Sequence, residues 1–196
     1  MKKTLLIIGS SGFFGRSIVD YLQKTNKYNK SFSHLCLISK KNKPSIKKRL
    51  KSKFVITQLK LDILKAKKIP DADYIVYSAL SNNFKKDHLT FKNFLNLLKK
   101  NKKKCRLIYT SSGAIYLNQS DKFKSLKEND KLNNSLLNSK LKKKYIKNKI
   151  KNEALIKSIK NKNIKVSILR CFAFVGKHLP RNKNYFVGNI IESIIE

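Results

Sequence analysis

A tyrosine and a lysine four residues apart, Tyr145 and Lys149 in YIKNKIKNE (145–153), could together perform acid–base chemistry. A spacing of four places both side chains on one face of a helix. A free phenol has a pKa of about 10, too high for a base at neutral pH, but a neighbouring ammonium favours the phenolate and lowers that pKa. Because about one residue in five is lysine, the spacing alone has little weight. Its meaning depends on the elements that surround it.

Glycine is concentrated in one short segment, TLLIIGSSGFFGR (4–16). Three of the chain's six glycines, Gly9, Gly12 and Gly15, fall within seven residues there, between an apolar run and a helical pattern. A tight strand-to-helix turn needs one residue that tolerates positive φ, a diphosphate against the backbone needs a position without a side chain, and close helix–strand packing needs a third. The free N–H groups at the helix start then face the phosphate oxygens. The cluster predicts a dinucleotide-binding turn.

Apolar runs alternate with lysine-rich amphipathic runs along the rest of the chain. The predicted strands are 4–8, 34–39, a part of 54–63, 73–80, 105–112 and 163–172. The predicted helices are 13–24, 87–99, 139–160 and one that begins near Val187, while the polar stretch 117–138 has no strong periodicity. Strands that are apolar throughout and alternate with helices indicate a parallel sheet covered on both faces. The expected fold is α/β, a doubly wound (Rossmann) sheet of six or seven strands.

The glycine spacing G-x-x-G-x-x-G resembles that of the extended short-chain dehydrogenase/reductase superfamily, which includes NAD-dependent nucleotide-sugar epimerases and dehydratases. Further segments resemble the same family in the same order: KLDIL (60–64), YSAL (77–80), IYTSSGAIY (108–116), YIKNKIKNE (145–153), ILRCFAFVGKHLP (168–180) and YFVGNII (185–191). The resemblance implies an NAD(P)-dependent nucleotide-sugar epimerase or related oxidoreductase. Such an enzyme transfers hydride transiently at a sugar hydroxyl or ketone.

The resemblance also assigns roles to individual residues. Ser112, four residues before Tyr116, matches the catalytic hydroxyl that orients the substrate oxygen. Tyr145 matches the base, and Lys149 the ammonium that lowers the tyrosine pKa and holds the nicotinamide ribose. The residues expected to bind the cofactor are Gly9, Ser11, Gly12, Phe13, Phe14, Gly15, Asp62 near the adenine, Ile63, Ala79, Tyr145 and Lys149. No metal is expected.

Two departures from the family pattern bear on specificity. After the second strand, where NAD-preferring members carry an acidic residue, the chain has Ser39, Lys40 and Lys41, which leaves NAD and NADP both open. Gly113 and Ala114 stand where dehydratases carry an Asp-Glu pair and where one group of epimerase/reductases carries a cysteine. With dehydratases and cysteine-dependent epimerase/reductases disfavoured, the resemblance implies a simple 4-epimerase or a ketone/alcohol oxidoreductase.

The chain ends at SIIE, where members of the extended branch continue. We therefore expect residues 1–172 to form an NAD(P)-binding domain with the catalytic residues, and 173–196 to begin an incomplete substrate-binding region. A truncated or split gene, a homodimer or partner chain that supplies the rest, and a reduced member with a smaller substrate are the alternatives. A cofactor-binding remnant or subunit without independent catalysis is the rival function. His178, near the expected substrate side, is either an acid–base group or a plain loop residue.

The net charge of +35 favours anionic ligands such as nucleotides, and a polyanion-binding protein is a further alternative. All but five of the 46 basic residues are lysines spread along the chain, whereas nucleic-acid sites favour arginine. We therefore expect no specific nucleic acid and no membrane among its partners. Cys36, Cys105 and Cys171 lie in apolar runs and are expected to be buried free thiols of a cytoplasmic protein.

Overall fold

Six strands form one parallel sheet in the order β3-β2-β1-β4-β5-β6. The computed structural model describes residues 3–40, 54–116, 127–128, 139–180, 190 and 193. The strands are β1 (Lys3–Ile8), β2 (Phe32–Ser39), β3 (Val55–Lys60), β4 (Tyr74–Tyr77), β5 (Cys105–Ser112) and β6 (Ile164–Cys171). The helices are α1 (Phe13–Lys24), α2 (Phe84–Lys100) and α3 (Lys140–Lys157), with a 3₁₀ turn at Gly113–Tyr116. This strand order is that of dinucleotide-binding doubly wound sheets, so the predicted fold is confirmed, with six strands in the part of the chain that the structure describes.

The predicted order of elements agrees with the structure, and the differences lie at the ends of elements. Helix α2 begins three residues earlier than predicted because the Asn83 side chain caps it, accepting a hydrogen bond from the Lys86 amide at 3.0 Å. Strand β2 begins two residues earlier, at Phe32. The polar stretch 117–138 and the predicted last helix lie outside the described residues, apart from 127–128, 190 and 193.

The chain divides into two compact units, and the first comprises Met1–Asp62, Pro70–Ala79 and Ala173–Glu196. Its core is made by strand residues that are apolar on both faces, as a parallel sheet covered by helices requires. The buried strand residues include Leu6, Ile7, Ile8, Leu35, Leu37, Ile38 and Ile75. Helix α1 packs with Val19 and Leu22 inward. The register pairs Leu6 with Cys36 of β2 and with Ile75 of β4.

The second unit comprises Ile63–Ile69 and Leu80–Phe172. Helix α2 packs against α3 and buries an apolar face that includes Phe91, whose ring lies 4.7 Å from that of Tyr109 in β5. Helix α3 is different, because its buried face is largely polar. That face consists of Ile146, Asn148, Lys149, Asn152, Glu153 and Ile156. Buried polar groups need hydrogen-bond partners, and the partners of these side chains are described below.

The cysteines are all free, but they differ in burial. Cys36 and Cys105 are buried as predicted, whereas Cys171 is only half-buried because it ends β6, so the prediction was wrong for that residue. Among the described residues, no helix combines the length and apolar character needed to cross a membrane. No three His, Cys, Asp or Glu side chains in that part of the chain are grouped so as to hold a metal ion.

Candidate functional site

Two of the three clustered glycines are required by the protein's own packing. Gly9 has a φ of 88°, in the left-handed region, and a Cβ there would lie 2.5 Å from the backbone nitrogen of Ala79. A Cβ on Gly15 would overlap the carbonyl oxygen of Gly9 and the Cα of Ser10. These contacts bring the start of α1, the end of β1 and the end of β4 together. Any larger residue at either position would separate them.

Gly12 has a different environment, since among the described atoms a Cβ there would approach only the Gly9 carbonyl oxygen, at 3.3 Å. Gly12 is exposed and caps α1 without a side-chain hydrogen bond. The first-turn amides of a helix, here those of Phe13, Phe14 and Gly15, have no intrahelical acceptor. Such amides can donate hydrogen bonds to a phosphate group. The diphosphate site expected at Gly12, with half-buried Ser11 beside it, stays a prediction.

Phe13 and Phe14, both predicted to contact the cofactor, are half-buried in an aromatic cluster with Phe174. The Phe14 and Phe174 rings meet edge to face at 4.8 Å, and the Phe13 ring lies 5.3 Å from that of Phe14. The cluster holds the segment that follows β6 against the start of α1. Farther along that segment, His178 Nε2 lies 3.9 Å from Asp20 of α1, too far for a hydrogen bond. The structure thus places His178 against α1.

An ion pair joins the ends of β2 and β3. Lys40 Nζ lies 2.7 Å from the carboxylate of Asp62, the residue predicted to lie near the adenine. The chain after β3 is held there by a hydrogen bond from the Leu61 amide to the Ser39 carbonyl at 2.9 Å. The end of β2 therefore carries a carboxylate as well as an ammonium, which the sequence did not indicate. Lys41 lies outside the described residues.

Ser112, the predicted catalytic hydroxyl, is the last residue of β5 and is half-buried. Its Oγ accepts a hydrogen bond from the Ala114 amide at 3.2 Å. A Cβ on Gly113 would overlap the ring of Phe172, which stacks on Tyr116 with centroids 6.1 Å apart and planes within 3°. The Phe172 ring therefore lies against Gly113, the position at which the dehydratases named in the sequence analysis carry an acidic residue. In the same unit, Ile63 is buried, and its carbonyl accepts a hydrogen bond from the Asn93 side chain at 2.7 Å.

Tyr145 and Lys149 lie one turn apart on α3. Tyr145 is half-buried, with its ring 5.9 Å from that of Phe84. Lys149 is only 4% exposed; its Nζ donates to the Thr110 carbonyl at 2.9 Å and lies 5.8 Å from the centre of the Tyr145 ring. Burial lowers the pKa of Lys149, and nearby acidic groups, Asp87 first among them, oppose that shift. A desolvated ammonium beside a phenol is suited to stabilising the phenolate.

Sequence reasoning missed the polar contacts that hold these groups. Glu153 accepts hydrogen bonds from the Ser111 hydroxyl and from Arg170, and Arg170 also donates to the Tyr116 hydroxyl. Asp87 of α2 accepts a hydrogen bond from Asn148. One signal was present in the sequence: polar residues recur at helical spacing on the face of α3 that also carries Ile146 and Ile156. Polar residues at core positions indicate a buried network.

Several solved structures share this fold. UDP-glucuronic acid 4-epimerase from Bacillus cereus, in complex with NAD, has a TM-score of 0.66 and 20% identity over 92% of this chain and 60% of that one. RMD from Pseudomonas aeruginosa, complexed with NADPH, has a TM-score of 0.64 and 18% identity over 93% of this chain and 58% of that one. dTDP-glucose 4,6-dehydratase from Bacillus anthracis, in complex with NAD, has a TM-score of 0.70 and 16% identity over 98% of this chain and 61% of that one. This chain thus spans about three fifths of the length of these structures.

No curated protein matches the sequence. The family model does match, and it covers nearly the whole chain, including the glycine turn, the end of β5 and the tyrosine–lysine pair of α3. The description of that family is "NAD dependent epimerase/dehydratase family", and the match runs over residues 5–196. The chain therefore belongs to the NAD-dependent epimerase/dehydratase family.

Proposed function

We propose that this protein is an NAD(P)-dependent nucleotide-sugar epimerase, or a related oxidoreductase, that acts by transient hydride transfer at a sugar hydroxyl or ketone. Membership of the family supports the class of reaction. The observation that carries the proposal is the buried Lys149 ammonium, 5.8 Å from the Tyr145 ring centre and hydrogen-bonded to the end of β5. An ammonium near a phenol favours the phenolate over the neutral hydroxyl, and a phenolate is the base that the reaction needs.

Each of three side chains has a distinct role in the proposal. Tyr145 takes the proton from the substrate hydroxyl, and Lys149 stabilises the phenolate through space. Ser112 donates a hydrogen bond to the substrate oxygen and orients it. A bound nicotinamide would supply the hydride chemistry at the same carbon. Tyr145 would give the proton back to the substrate oxygen, and inversion at that carbon would require hydride to be returned on the opposite face.

The dinucleotide would be held by the turn between β1 and α1. Gly12 leaves space for the diphosphate in front of the first-turn amides, and Gly9 and Gly15 give the turn its shape. Ser11, Phe13 and Phe14 would line the cofactor at that turn, and Asp62 would lie near the adenine with Ile63 next to it in sequence. Ala79 would let the cofactor lie flat, and Lys149 would hold the nicotinamide ribose while Tyr145 contacts the nicotinamide end. The proposal includes both NAD and NADP, because structures of the same fold are complexed with NAD and with NADPH.

The substrate proposed is a nucleotide sugar, the class named for the Bacillus cereus and Bacillus anthracis structures. Gly113 and Ala114 supply no acid for loss of water, which favours epimerisation or ketone reduction over dehydration. We further propose that residues 1–172 form the NAD(P)-binding domain and that 173–196 begin the substrate-binding region. A second copy or a partner chain would complete the pocket, and the reaction would take place in the cytoplasm.

Replacement of Tyr145 by phenylalanine tests the catalytic assignment. The variant keeps the ring and its contact with Phe84 but removes the ionisable hydroxyl. Turnover of UDP- and dTDP-sugars, followed by NMR with NAD and with NADP, should fall by about 10²–10⁴-fold. The Kd for NAD(P)H, measured by fluorescence, should stay within about twofold of the wild-type value, because the substitution removes only the hydroxyl and keeps the ring and Lys149 in place. Tyr21→Phe, at an exposed position of α1, is the matched control; equal turnover of wild type and Tyr145→Phe would refute the proposal.

The rival proposal is a cofactor-binding subunit without independent catalysis. The glycine turn belongs to one compact unit, and Ser112, Tyr145 and Lys149 belong to the other, so the two properties are separable by mutation. Wild-type protein that binds NAD(P)H through the glycine turn, as judged by a loss of binding in Gly12→Ala, but never turns over any nucleotide sugar would support this second function.

A further inference from the structure

The buried ammonium of Lys149 needs a negative charge nearby. The side chain is 4% exposed, its Nζ donates to a backbone carbonyl, and it lies 5.0 Å from the ring centre of Tyr109. A carbonyl and an aromatic ring solvate an ammonium but do not neutralise it. Burial of a charge in a protein interior is costly unless a counter-charge is present.

Among the described carboxylates, those of Asp87 and Glu153 raise the pKa of Lys149 against the effect of burial. The charge of Glu153 is already matched. Arg170 Nε donates to Glu153 Oε1 at 3.2 Å and its Nη2 donates to Oε2 at 2.8 Å, a bidentate ion pair. The Ser111 hydroxyl also donates to Oε1. Glu153 therefore neutralises a guanidinium rather than the ammonium.

Asp87, in the first turn of α2, is hydrogen-bonded to neutral groups. It is 4% exposed; Oδ1 accepts from the Ser81 amide at 2.8 Å and Oδ2 accepts from Asn148 Nδ2 at 2.8 Å. Asn148 immediately precedes Lys149, so this second bond fixes Asp87 against the stretch of α3 that carries the ammonium. Both partners orient the carboxylate, and neither cancels its charge.

We infer that Asp87 is the counter-charge that keeps Lys149 protonated within the packed pair of helices α2 and α3. In the terms of the proposed function, on which this role in catalysis rests, Asp87 is a positioning residue: it acts on Tyr145 through Lys149. The reciprocal influence of the two groups agrees with the geometry. Burial lowers the pKa of Lys149 and Asp87 opposes that shift, while burial raises the pKa of Asp87 and Lys149 is among the groups that oppose it.

The other titratable groups around Lys149 do not supply this charge. Helix α3 itself carries Tyr145 and the paired Glu153, and α2 also carries His88. The remaining groups lie on the neighbouring elements of the same unit: Tyr109 on β5, Tyr116 in the 3₁₀ turn, and Arg170 and Cys171 on β6. Burial raises the pKa of Tyr109 and of the Cys171 thiol, so both are neutral near pH 7. His88 Nδ1 lies 2.7 Å from Asn152 Oδ1, and Asn152 Nδ2 donates to the Tyr109 hydroxyl at 3.2 Å. These contacts continue the network without adding an anion.

A direct titration of Lys149 in the full chain tests the inference. Lysine labelled with ¹³C at Cε gives one resonance for each side chain, and the resonance that disappears in Lys149→Arg is that of Lys149. In Asp87→Asn the titration midpoint of this resonance should move to lower pH by at least about one unit, the usual scale for loss of a close opposite charge. An unchanged midpoint would overturn the inference.

Two further variants make the result specific. Asp20→Asn is the same chemical change at a carboxylate that pairs with Lys24 at 2.9 Å, and the Lys149 midpoint should not move; a shift as large as that of Asp87→Asn would overturn the inference.

The double variant Asp87→Asn/Asn148→Asp transfers the carboxylate across the hydrogen bond that joins these residues. The amide at position 87 can still accept from Ser81 and can now donate to the carboxylate at 148.

The double variant should return the Lys149 midpoint to within about half a unit of wild type, because a counter-charge is again present. If Asp87→Asn does not fold, the folded double variant decides the question, and a midpoint that stays low in it overturns the inference. The titration needs no turnover. A chain that is inactive but shows the Asp87-dependent shift therefore disproves the proposed function and keeps this inference.

Discussion

The guanidinium of Arg170 donates hydrogen bonds to both carboxylate oxygens of Glu153, at 3.2 and 2.8 Å. Arg170 also donates to the Tyr116 hydroxyl and, at 2.8 Å, to the Glu128 carbonyl, while the Ser111 hydroxyl donates to Glu153. Through this one ion pair, β6 is joined to α3, to the end of β5 and to the 3₁₀ turn. The residue before Ser112 and the helix that carries Lys149 are thus fixed by the same carboxylate.

Removal of one partner of this ion pair should destabilise the protein severely. Glu153 is 2% exposed, so Arg170→Met leaves a buried carboxylate without its counter-ion. The free energy of unfolding in urea should fall by about 3–5 kcal/mol. The double variant Arg170→Met/Glu153→Leu should lose less than the two single variants added together, because neither charge is then left alone. Arg106→Ala, at an exposed position of β5, should change the free energy by less than about 0.5 kcal/mol. A loss of under 1 kcal/mol in Arg170→Met would show that the pair is not structural.

The glycines of the turn should separate into one that serves binding and one that serves folding. Gly15→Ala introduces an overlap with backbone atoms of Gly9 and Ser10 and should lower the free energy of unfolding by more than about 2 kcal/mol. Gly12→Ala places a methyl group 3.3 Å from the Gly9 carbonyl oxygen at the N-cap of α1 and should lower that free energy by about 1 kcal/mol, less than Gly15→Ala does. The same methyl group stands in front of the first-turn amides, so the Kd for NAD(P)H should rise at least about tenfold. Tight binding by Gly12→Ala would exclude this turn as the diphosphate site.

The choice between NAD and NADP should respond in opposite directions to the two members of the Lys40–Asp62 pair. Lys40→Gln leaves a carboxylate that repels a 2′-phosphate, so the ratio of NADP to NAD affinity should fall. Asp62→Asn leaves the ammonium unopposed, so the ratio should rise. Each change should be roughly fivefold, the scale of about 1 kcal/mol for an exposed ion pair. Calorimetric titration with both cofactors measures the ratio, with Lys27→Gln as the control. If the ratio of NADP to NAD affinity changed in the same direction in both variants, the 2′ group of the bound cofactor would not lie at the Lys40–Asp62 pair.

The fold was predictable from the sequence because its signals are local. The apolar runs that became β1, β2 and β5 are bounded by turn residues, and the glycine spacing at 9–15 marks one strand-to-helix turn with three separate steric requirements. Ser112 ends β5, and the pair Tyr145–Lys149 lies on the next long helix, so the order of elements was enough to assign each residue to its element.

The polar contacts of the site were not predictable in the same way. Asp87 and Asn148 are 61 residues apart, and only the packing of α2 on α3 makes them neighbours. In the sequence, Asp87 looks like an ordinary surface carboxylate of a lysine-rich helix, and Glu153 stands out only as the last residue of the family-like segment 145–153. The sequence places Asp62 after β3, but its ion pair with Lys40 depends on the parallel pairing of β2 with β3, which brings the ends of these strands side by side. Long-range pairing of this kind depends on the tertiary structure, and it cannot be read from helix or strand propensity or from hydrophobic periodicity, because both are local properties of the sequence.

The positive φ of Gly9 and the close packing of Gly15 have a kinetic consequence. The protein's own atoms hold the backbone of the turn in one shape, whereas ordering a flexible loop would cost about 1–2 kcal/mol for each residue. A dinucleotide would therefore meet a rigid receptor, and its association would be limited by diffusion and orientation rather than by rearrangement. In stopped-flow experiments the observed rate should then rise linearly with nucleotide concentration, without the plateau that a slow isomerisation produces.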